Sequence, residues 1–154
     1  MSLDAKRPAS AVGKQEKPVQ EPAYVARLAF LKKLDEKKVK YATEGDRPVV
    51  RIHYNGSNFR NVCFSFVFDE DGRSAGLRVF SVAQFRKSEL TDAYEFCNRA
   101  NSEYRWVRFY VDSDRELTVS LDAVLTPETV ASVCYELLER AVSIVDSVCK
   151  ELKK

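Results

Sequence analysis

The sequence predicts an α+β domain with an antiparallel five-stranded sheet, and two patterns carry this prediction. Residues 61–85 form two alternating apolar runs around the turn Asp69–Arg73, the two-residue period of paired β-strands. The dipeptide Asp71-Gly72 predicts a tight hairpin turn in which both central residues have positive φ. Residues 126–152 instead repeat apolar side chains at helical spacing over several turns, which predicts a long helix able to cross the sheet.

The first half of the chain predicts one helix and three strands in a meander. Pro22 favours a helix start, and the helix should run to about Lys38. Its apolar stripe is predicted to comprise Val25, Leu28, Leu31 and Leu34. Val49–Tyr54 alternates as a strand, and Asn55-Gly56 turns the chain toward a second strand at Val62–Phe68. The return strand is carried by residues 77–82.

The second half predicts a helix, two strands and the long helix. Ser88 is a suitable N-cap for a helix that ends near Asn101 and Ser102. Residues 104–111 and 117–121 alternate as a fourth and a fifth strand, the latter with Thr118 and Ser120 directed outward. Thr126-Pro127-Glu128 has the residue types that begin a helix. The order is therefore α-β-β-β-α-β-β-α, with the helices covering one face of the sheet.

Two regions differ in composition. Residues 1–22 contain three prolines and almost no large apolar side chains, so we expect a flexible tail. Residues 23–154 carry the periodic patterns and are predicted to form a single domain with its own core.

The residues that support catalysis or metal binding are scarce. His53 is the only histidine, and on the polar side of its strand we expect it to be solvated. The acidic run Asp69–Asp71 lacks the bidentate glutamate of a calcium loop, since Phe80 stands at that position. The four cysteines at positions 63, 97, 134 and 149 lie in apolar patterns, which indicates reduced, packed thiols and places Cys97 in the core. We therefore predict no catalytic residue, no cofactor and no metal, and expect that the protein is not an enzyme.

We expect the protein to be cytoplasmic, as its reduced cysteines indicate. No apolar run approaches the roughly 20 residues of a membrane span, and the first residues lack the apolar core of a signal peptide. The formal net charge is +2, too close to neutral to indicate a nucleic-acid partner by itself.

The best candidate for a binding surface is one side of the fourth predicted strand. Tyr104, Trp106, Arg108 and Tyr110 alternate there, and amphipathic aromatics beside arginine are enriched in protein interfaces. The same residue types also pack under helices in a core. Because the strands are apolar on both sides, one sheet face should remain for a second copy of the chain, which predicts a homodimer.

Two other functions remain open. In the first, Tyr104, Trp106 and Tyr110 stack on the bases of a single-stranded nucleic acid while Arg51, Arg105 and Arg108 contact phosphates. In the second, a pocket between the sheet and the long helix senses a small molecule.

The run FCNRANSEYRWVRFYVDSDRELTVSLDAVL, residues 96–125, resembles the YbjN-like family of bacterial proteins, described as regulators of sensory transduction. The similarity in pattern extends from about Tyr24 to Leu152. It implies a fold like that of type III secretion chaperones. It also implies a cytoplasmic regulatory module that binds a protein or peptide partner and has no defined catalytic residues.

Overall fold

The computed structural model describes residues 21–154 and contains three α-helices in that range. The helices are α1 (Pro22–Glu36), α2 (Leu90–Glu103) and α3 (Val130–Leu152), with a short 3-10 turn at Lys87–Glu89 before α2. The strands are β1 (Ala42–Thr43), β2 (Val49–Tyr54), β3 (Val62–Phe68), β4 (Ser74–Gln84), β5 (Arg108–Val111) and β6 (Glu116–Val124). The predicted tail lies outside the described residues, apart from its last two positions.

All six strands join one antiparallel sheet in the order β1-β2-β3-β4-β6-β5. The predicted α+β class and antiparallel sheet are confirmed, and the predicted number of five strands is wrong. The additional strand is Ala42–Thr43, which pairs with Arg51 and Val50. Two residues are too few to show the alternation from which strands are predicted.

The fourth predicted strand is shorter in the structure than in the prediction. The sequence predicts it over residues 104–111, but β5 begins only at Arg108. The backbone of Trp106 has a φ of +64°, a left-handed conformation that a regular strand cannot contain. The sequence around Trp106 alternates as a strand does, so the pattern gave no sign of this break.

The helices pack on one face of the sheet, around the phenylalanines of β3. The ring centroid of Phe30 in α1 lies 4.6 Å from that of Phe66 and 6.2 Å from that of Phe68. The predicted stripe of α1 is partly wrong, because Val25 and Leu28 are 47% and 38% exposed. The buried side chains of α1 are Ala23, Ala26, Arg27, Phe30 and Leu34. Small alanines let the helix approach α3 and β3 closely, and Phe30 buries more apolar area than a valine would.

A buried arginine ties α1 to the loop between β1 and β2. Arg27 is 4% exposed, and its Nη1 donates to the carbonyl oxygens of Gly45 at 2.8 Å and Arg47 at 2.6 Å. Its guanidinium carbon also lies 4.8 Å from the ring centroid of Tyr24. These contacts offset part of the cost of removing the charge from water.

The β3–β4 turn differs from the predicted type. Within it only Gly72 has a positive φ, of +66°. The N–H of Gly72 donates to the carbonyl of Asp69 at 2.8 Å, and the N–H of Asp69 donates to that of Ser74 at 3.0 Å. The turn therefore uses one left-handed glycine in a longer loop, the common alternative to the two-residue turn.

Gly72 also touches the start of α1, which predicts an unusual sensitivity to substitution. A Cβ at Gly72 would lie 2.7 Å from the carbonyl oxygen of Pro22, whereas a Cβ at Gly45, also at positive φ, would meet nothing within 4 Å. Gly45→Ala should lower the free energy of unfolding by about 1 kcal/mol, from backbone strain alone. Gly72→Ala should lower it by at least about 2 kcal/mol, because strain and the clash add. Urea unfolding of both variants checks this, and equal losses would show that the Pro22 contact is unimportant.

The loop between β2 and β3 is fixed to α3 by one carboxylate. Asp146 accepts hydrogen bonds from the backbone N–H of Asn58 at 2.7 Å and from its side-chain Nδ2 at 2.8 Å. The backbone bond first, and then the side-chain bond, hold the pKa of Asp146 below its usual range. A carboxyl whose pKa is lower when folded stabilises the protein above the unfolded pKa.

This contact predicts a pH-dependent contribution to stability. The contribution of Asp146 should be fully present at neutral pH and should be lost as pH falls from about 4 through the lower folded pKa. The free energy of unfolding of the wild type should therefore exceed that of Asp146→Asn at pH 7, and the difference should shrink on acidification. In an Asn58→Ala background the pH-dependent part should be smaller, since one donor is gone. A difference that does not vary with pH would contradict the assignment.

Candidate interaction surfaces

The four residues of the predicted binding face lie in three different places. Tyr104 is half-buried, with its ring centroid 5.6 Å from that of Phe109, a core residue. Trp106 lies at the edge of the sheet beside α3, and Arg108 and Tyr110 lie on the sheet face away from the helices. The prediction that they share one strand face is wrong, because the strand begins only at Arg108.

Trp106 is exposed and lies against two guanidinium groups. Its side chain is 57% exposed, and its ring centroid lies 4.4 Å from the guanidinium carbon of Arg140 and 4.9 Å from that of Arg105. Arg140 is itself oriented by Glu136, with Nη2 and Oε1 2.5 Å apart. Cation–π contacts of this kind contribute about 0.5–1 kcal/mol each at exposed sites. They offset part of the strain of a bulky residue at positive φ.

Trp106 and Arg140, the Trp106 ridge, separate two surface grooves. The first groove, of about 330 Å³, lies between the end of β6 and α3. The second, of about 410 Å³, lies on the other side of the ridge toward the end of α2. The first is lined by Trp106, Asp122, Ala123, Val124, Val133, Glu136, Leu137 and Arg140.

The sheet face opposite the helices, the open face, carries a row of arginines and serines. Adjacent strands place them in cross-strand pairs, so that they follow one another across β2, β3, β4, β6 and β5. The row consists of Arg51, Ser65, Arg78, Ser120 and Arg108. The sequence pattern predicts that Ser120 points outward but gives no sign of the row, because the members of the row come from five strands whose register no local pattern gives.

Asp122 joins two arginines of this row. Its Oδ1 lies 2.8 Å from Arg78 Nη2, and its Oδ2 lies 2.5 Å from Arg108 Nη2. Arg78 lies flat on the sheet, where its Nη1 also donates to the carbonyls of Leu77 and Leu121 at 3.0 Å. A Cβ at Gly76 would lie 2.9 Å from Arg78 Nη1, so the absence of a side chain there makes room for the guanidinium. The ion pair of Asp122 with Arg78 is thus already formed on the surface of the single chain.

Small side chains under the row are buried although no helix covers them. Ser120 is 1% exposed and Thr118 is 0% exposed. Ser120 lies between Arg78 and Arg108, and Thr118 faces Tyr110 on β5. Both residues point away from the helices, as predicted, but longer neighbours shield them from water.

Apolar and aromatic side chains flank the arginine row. Phe80, Val67 and Tyr110 are 57%, 40% and 41% exposed. Thr118 lies opposite the bulge of β4 that contains Phe80 and is paired with Tyr110 on its other side. The predicted two-sided apolar character of the β3–β4 hairpin is confirmed at Val67 and Phe80.

The cysteines are free, and three of them are buried. Burial raises the pKa of the Cys97 thiol and raises that of Cys134 to about 12, which keeps both protonated and unreactive. Cys63 is partly exposed; burial raises its pKa, and nearby Arg51 partly counters this effect. Within residues 21–154 there is no group of three His, Cys, Asp or Glu residues placed to hold a metal ion. In the same range no helix is long and apolar enough to cross a membrane.

The fold is that of an α+β domain with one sheet face covered and with exposed aromatic and arginine side chains. The chain belongs to the YbjN family, since the model of that family, described as "Putative bacterial sensory transduction regulator", matches residues 32–154. No curated protein matches the sequence.

Among solved structures, the crystal structure of YbjN from E. coli, "a putative transcription regulator", is similar to this chain. The TM-score is 0.56 at 11% sequence identity, over 79% of this chain and 89% of that chain. At this identity the similarity shows a common fold. The family description is that of a regulator.

Proposed function

We propose that this protein is a non-enzymatic regulatory module of the bacterial cytoplasm that forms a homodimer and binds a protein or peptide partner. The observation that carries the proposal is the open face, where Phe80, Val67 and Tyr110 are exposed around the arginine row. Soluble monomers rarely leave such groups together on the surface without a use for them.

The open face is suited to pairing with a second copy of itself. A two-fold dimer brings the same patch of both subunits together, so the patch must be self-complementary. The open face carries Arg51, Arg78 and Arg108 beside the carboxylates of Glu44 and Asp122. Because each of these ion pairs is closed within one copy, two open faces can meet without leaving a charge unpaired.

Pairing through the outermost strands has less support than pairing through the open face. The strand β1 has only two residues. On β5 the N–H and C=O of Phe109 bond to the side-chain amide of Asn101, at 2.8 and 3.1 Å. Short strands and bonded edge groups are features by which proteins avoid edge-to-edge association.

The Trp106 ridge is the surface best suited to a different partner. Tryptophan and arginine are the residues on which binding energy most often concentrates, and here both are pre-positioned beside grooves. The sequence pattern implies a resemblance to type III secretion chaperones. This resemblance favours binding of a polypeptide, since those proteins bind polypeptide partners.

The two alternatives receive less support from the geometry. Of the arginines expected to contact nucleic-acid phosphates, Arg51 pairs with Glu44 and Arg108 with Asp122, and Tyr104 is packed against the core. A small-molecule pocket between the sheet and α3 would be limited to the first groove at the sheet edge, because the side chains that face each other further in, such as those of Phe64 and Leu138, are fully buried.

The dimer can be tested by light scattering on the full chain. We expect a mass of twice 17.6 kDa. Phe80→Ser should shift the mass toward that of the monomer at micromolar concentration, because it removes a large exposed apolar side chain from the proposed interface. Trp106→Ala should leave the dimer intact, because the ridge lies beside α3 and not on the open face.

Tyr94→Ser is the matched control. Tyr94 is 56% exposed, close to the value for Phe80, but lies on α2, so this variant should remain dimeric. A wild-type monomer at all concentrations would overturn the dimer. A dimer that only Trp106→Ala dissociates would move the self-interface to the ridge.

A further inference from the structure

The last part of β6 has a neighbouring strand on one side only. β6 pairs with β4 as far as Val124, but its pairing with β5 ends at Ser120, opposite Arg108. The chain before Arg108 leaves the sheet at Trp106, whose φ is +64°. Residues 121–124 therefore form an open edge inside a sheet whose outer strand stops short.

The hydrogen bonds of Phe109 show which groups point to this edge. Its N–H and C=O bond to Asn101 and so point away from β6, which directs those of Arg108 and Tyr110 toward it. Arg108 and Tyr110 therefore form hydrogen-bonded pairs with Ser120 and Thr118, in which the two facing residues exchange both backbone bonds. By alternation along β6, the N–H and C=O groups of Asp122 and Val124 point to the side where β5 is missing. No strand within residues 21–154 pairs with them there.

The first groove lies along this edge. Its lining combines apolar side chains with charged side chains that already form ion pairs. Val124 is 88% exposed, and Val133 and Leu137 of α3 line the opposite wall. The two carboxylates of the groove are already paired, Asp122 with arginines of the open face and Glu136 with Arg140. The lining therefore complements an uncharged occupant that has free backbone donors and acceptors.

We propose that an extended peptide segment of a protein partner adds to β6 as a short strand in the place where β5 is missing. Its backbone bonds to Asp122 and Val124, and its residue opposite Ala123 places an uncharged apolar side chain between Trp106 and Leu137. Strand addition of this kind draws affinity from backbone bonds and specificity from alternate side-chain pockets. The inference rests on the proposed binding of a protein or peptide, and it names the place and the mode.

A partner peptide fits this edge better than a second copy of the chain. A second copy would have to offer a strand edge of its own, and the edge group of its β5 at Phe109 is bonded to Asn101. Its other outer strand, β1, has two residues. Its own residues 121–124 lie beside its Trp106 and α3, so pairing of the two β6 edges would bring two such walls into one groove. An extended peptide has no such constraint.

The openness of the edge is measured first, by amide hydrogen exchange on the free full-length chain. The amides of Asp122 and Val124 should exchange at least about 100-fold faster than those of Leu121 and Ala123, which face β4 in the same strand. Protection of Asp122 and Val124 that is independent of concentration would mean that another segment of the chain occupies the edge. Protection that increases with concentration would mean a second copy. Either result overturns the proposal.

Binding is then measured with peptides of seven random residues displayed on phage and selected on the full-length wild type. Val124→Pro removes one edge N–H that has no strand partner within residues 21–154, a substitution that edge positions tolerate, whereas Val124→Ala keeps this N–H. Selected peptides should bind Val124→Pro about tenfold or more weakly than Val124→Ala. They should also protect the amides of Asp122 and Val124 in the wild type.

The outcomes separate this inference from the proposed function. Peptides that bind Val124→Pro and Val124→Ala equally but lose affinity for Phe80→Ser use the open face, which overturns strand addition and keeps peptide binding. A selection that enriches no peptide counts against both.

Discussion

The helices cover only one face of the sheet, and most of the surface follows from this constraint. On the covered face, Phe30 packs against Phe66 and Phe68 and joins α1 to the sheet. The other face has no second layer and must shield its own small residues and backbone. It does so with arginine, because a guanidinium on an aliphatic stem can lie along a sheet while its charge stays hydrated. Arg78 illustrates this, since it bonds two backbone carbonyls and lies over Gly76, where a side chain would obstruct it.

The start of β5 and the residues before it show how the sheet edge is controlled. Within the strand, Asn101 supplies an amide that takes the place of a neighbouring strand at Phe109. Before the strand, Trp106 turns the chain out of the sheet and leaves the edge of β6 uncovered. The edge of β5 is thus closed by a side chain, whereas the neighbouring edge of β6 is left open. An edge left open beside an exposed tryptophan is a feature that proteins ordinarily avoid unless it is used.

Strong periodic patterns predicted their elements well. The bounds of Val49–Tyr54 and Val62–Phe68 agree with the structure, because alternation with β-branched and aromatic residues is unambiguous over six or seven positions. The features that the patterns did not predict depend on contacts between residues far apart in the sequence. The burial of Arg27 depends on carbonyls 18 and 20 residues away, and the arginine row depends on the register of five strands. The break at Trp106 was hidden because its neighbours alternate like a strand.

Asp122 connects the two surfaces on which the proposals depend. Its carboxylate holds Arg78 and Arg108 on the open face, while its backbone N–H and C=O point into the groove beside Trp106. A peptide that pairs with this backbone would fix the position of Asp122, and the side chain of Asp122 holds two arginines of the row. If the open face also forms the dimer interface, peptide binding and dimerisation share one residue, and by linkage each changes the affinity of the other to the same extent. Such a coupling would link what the protein binds to how it assembles.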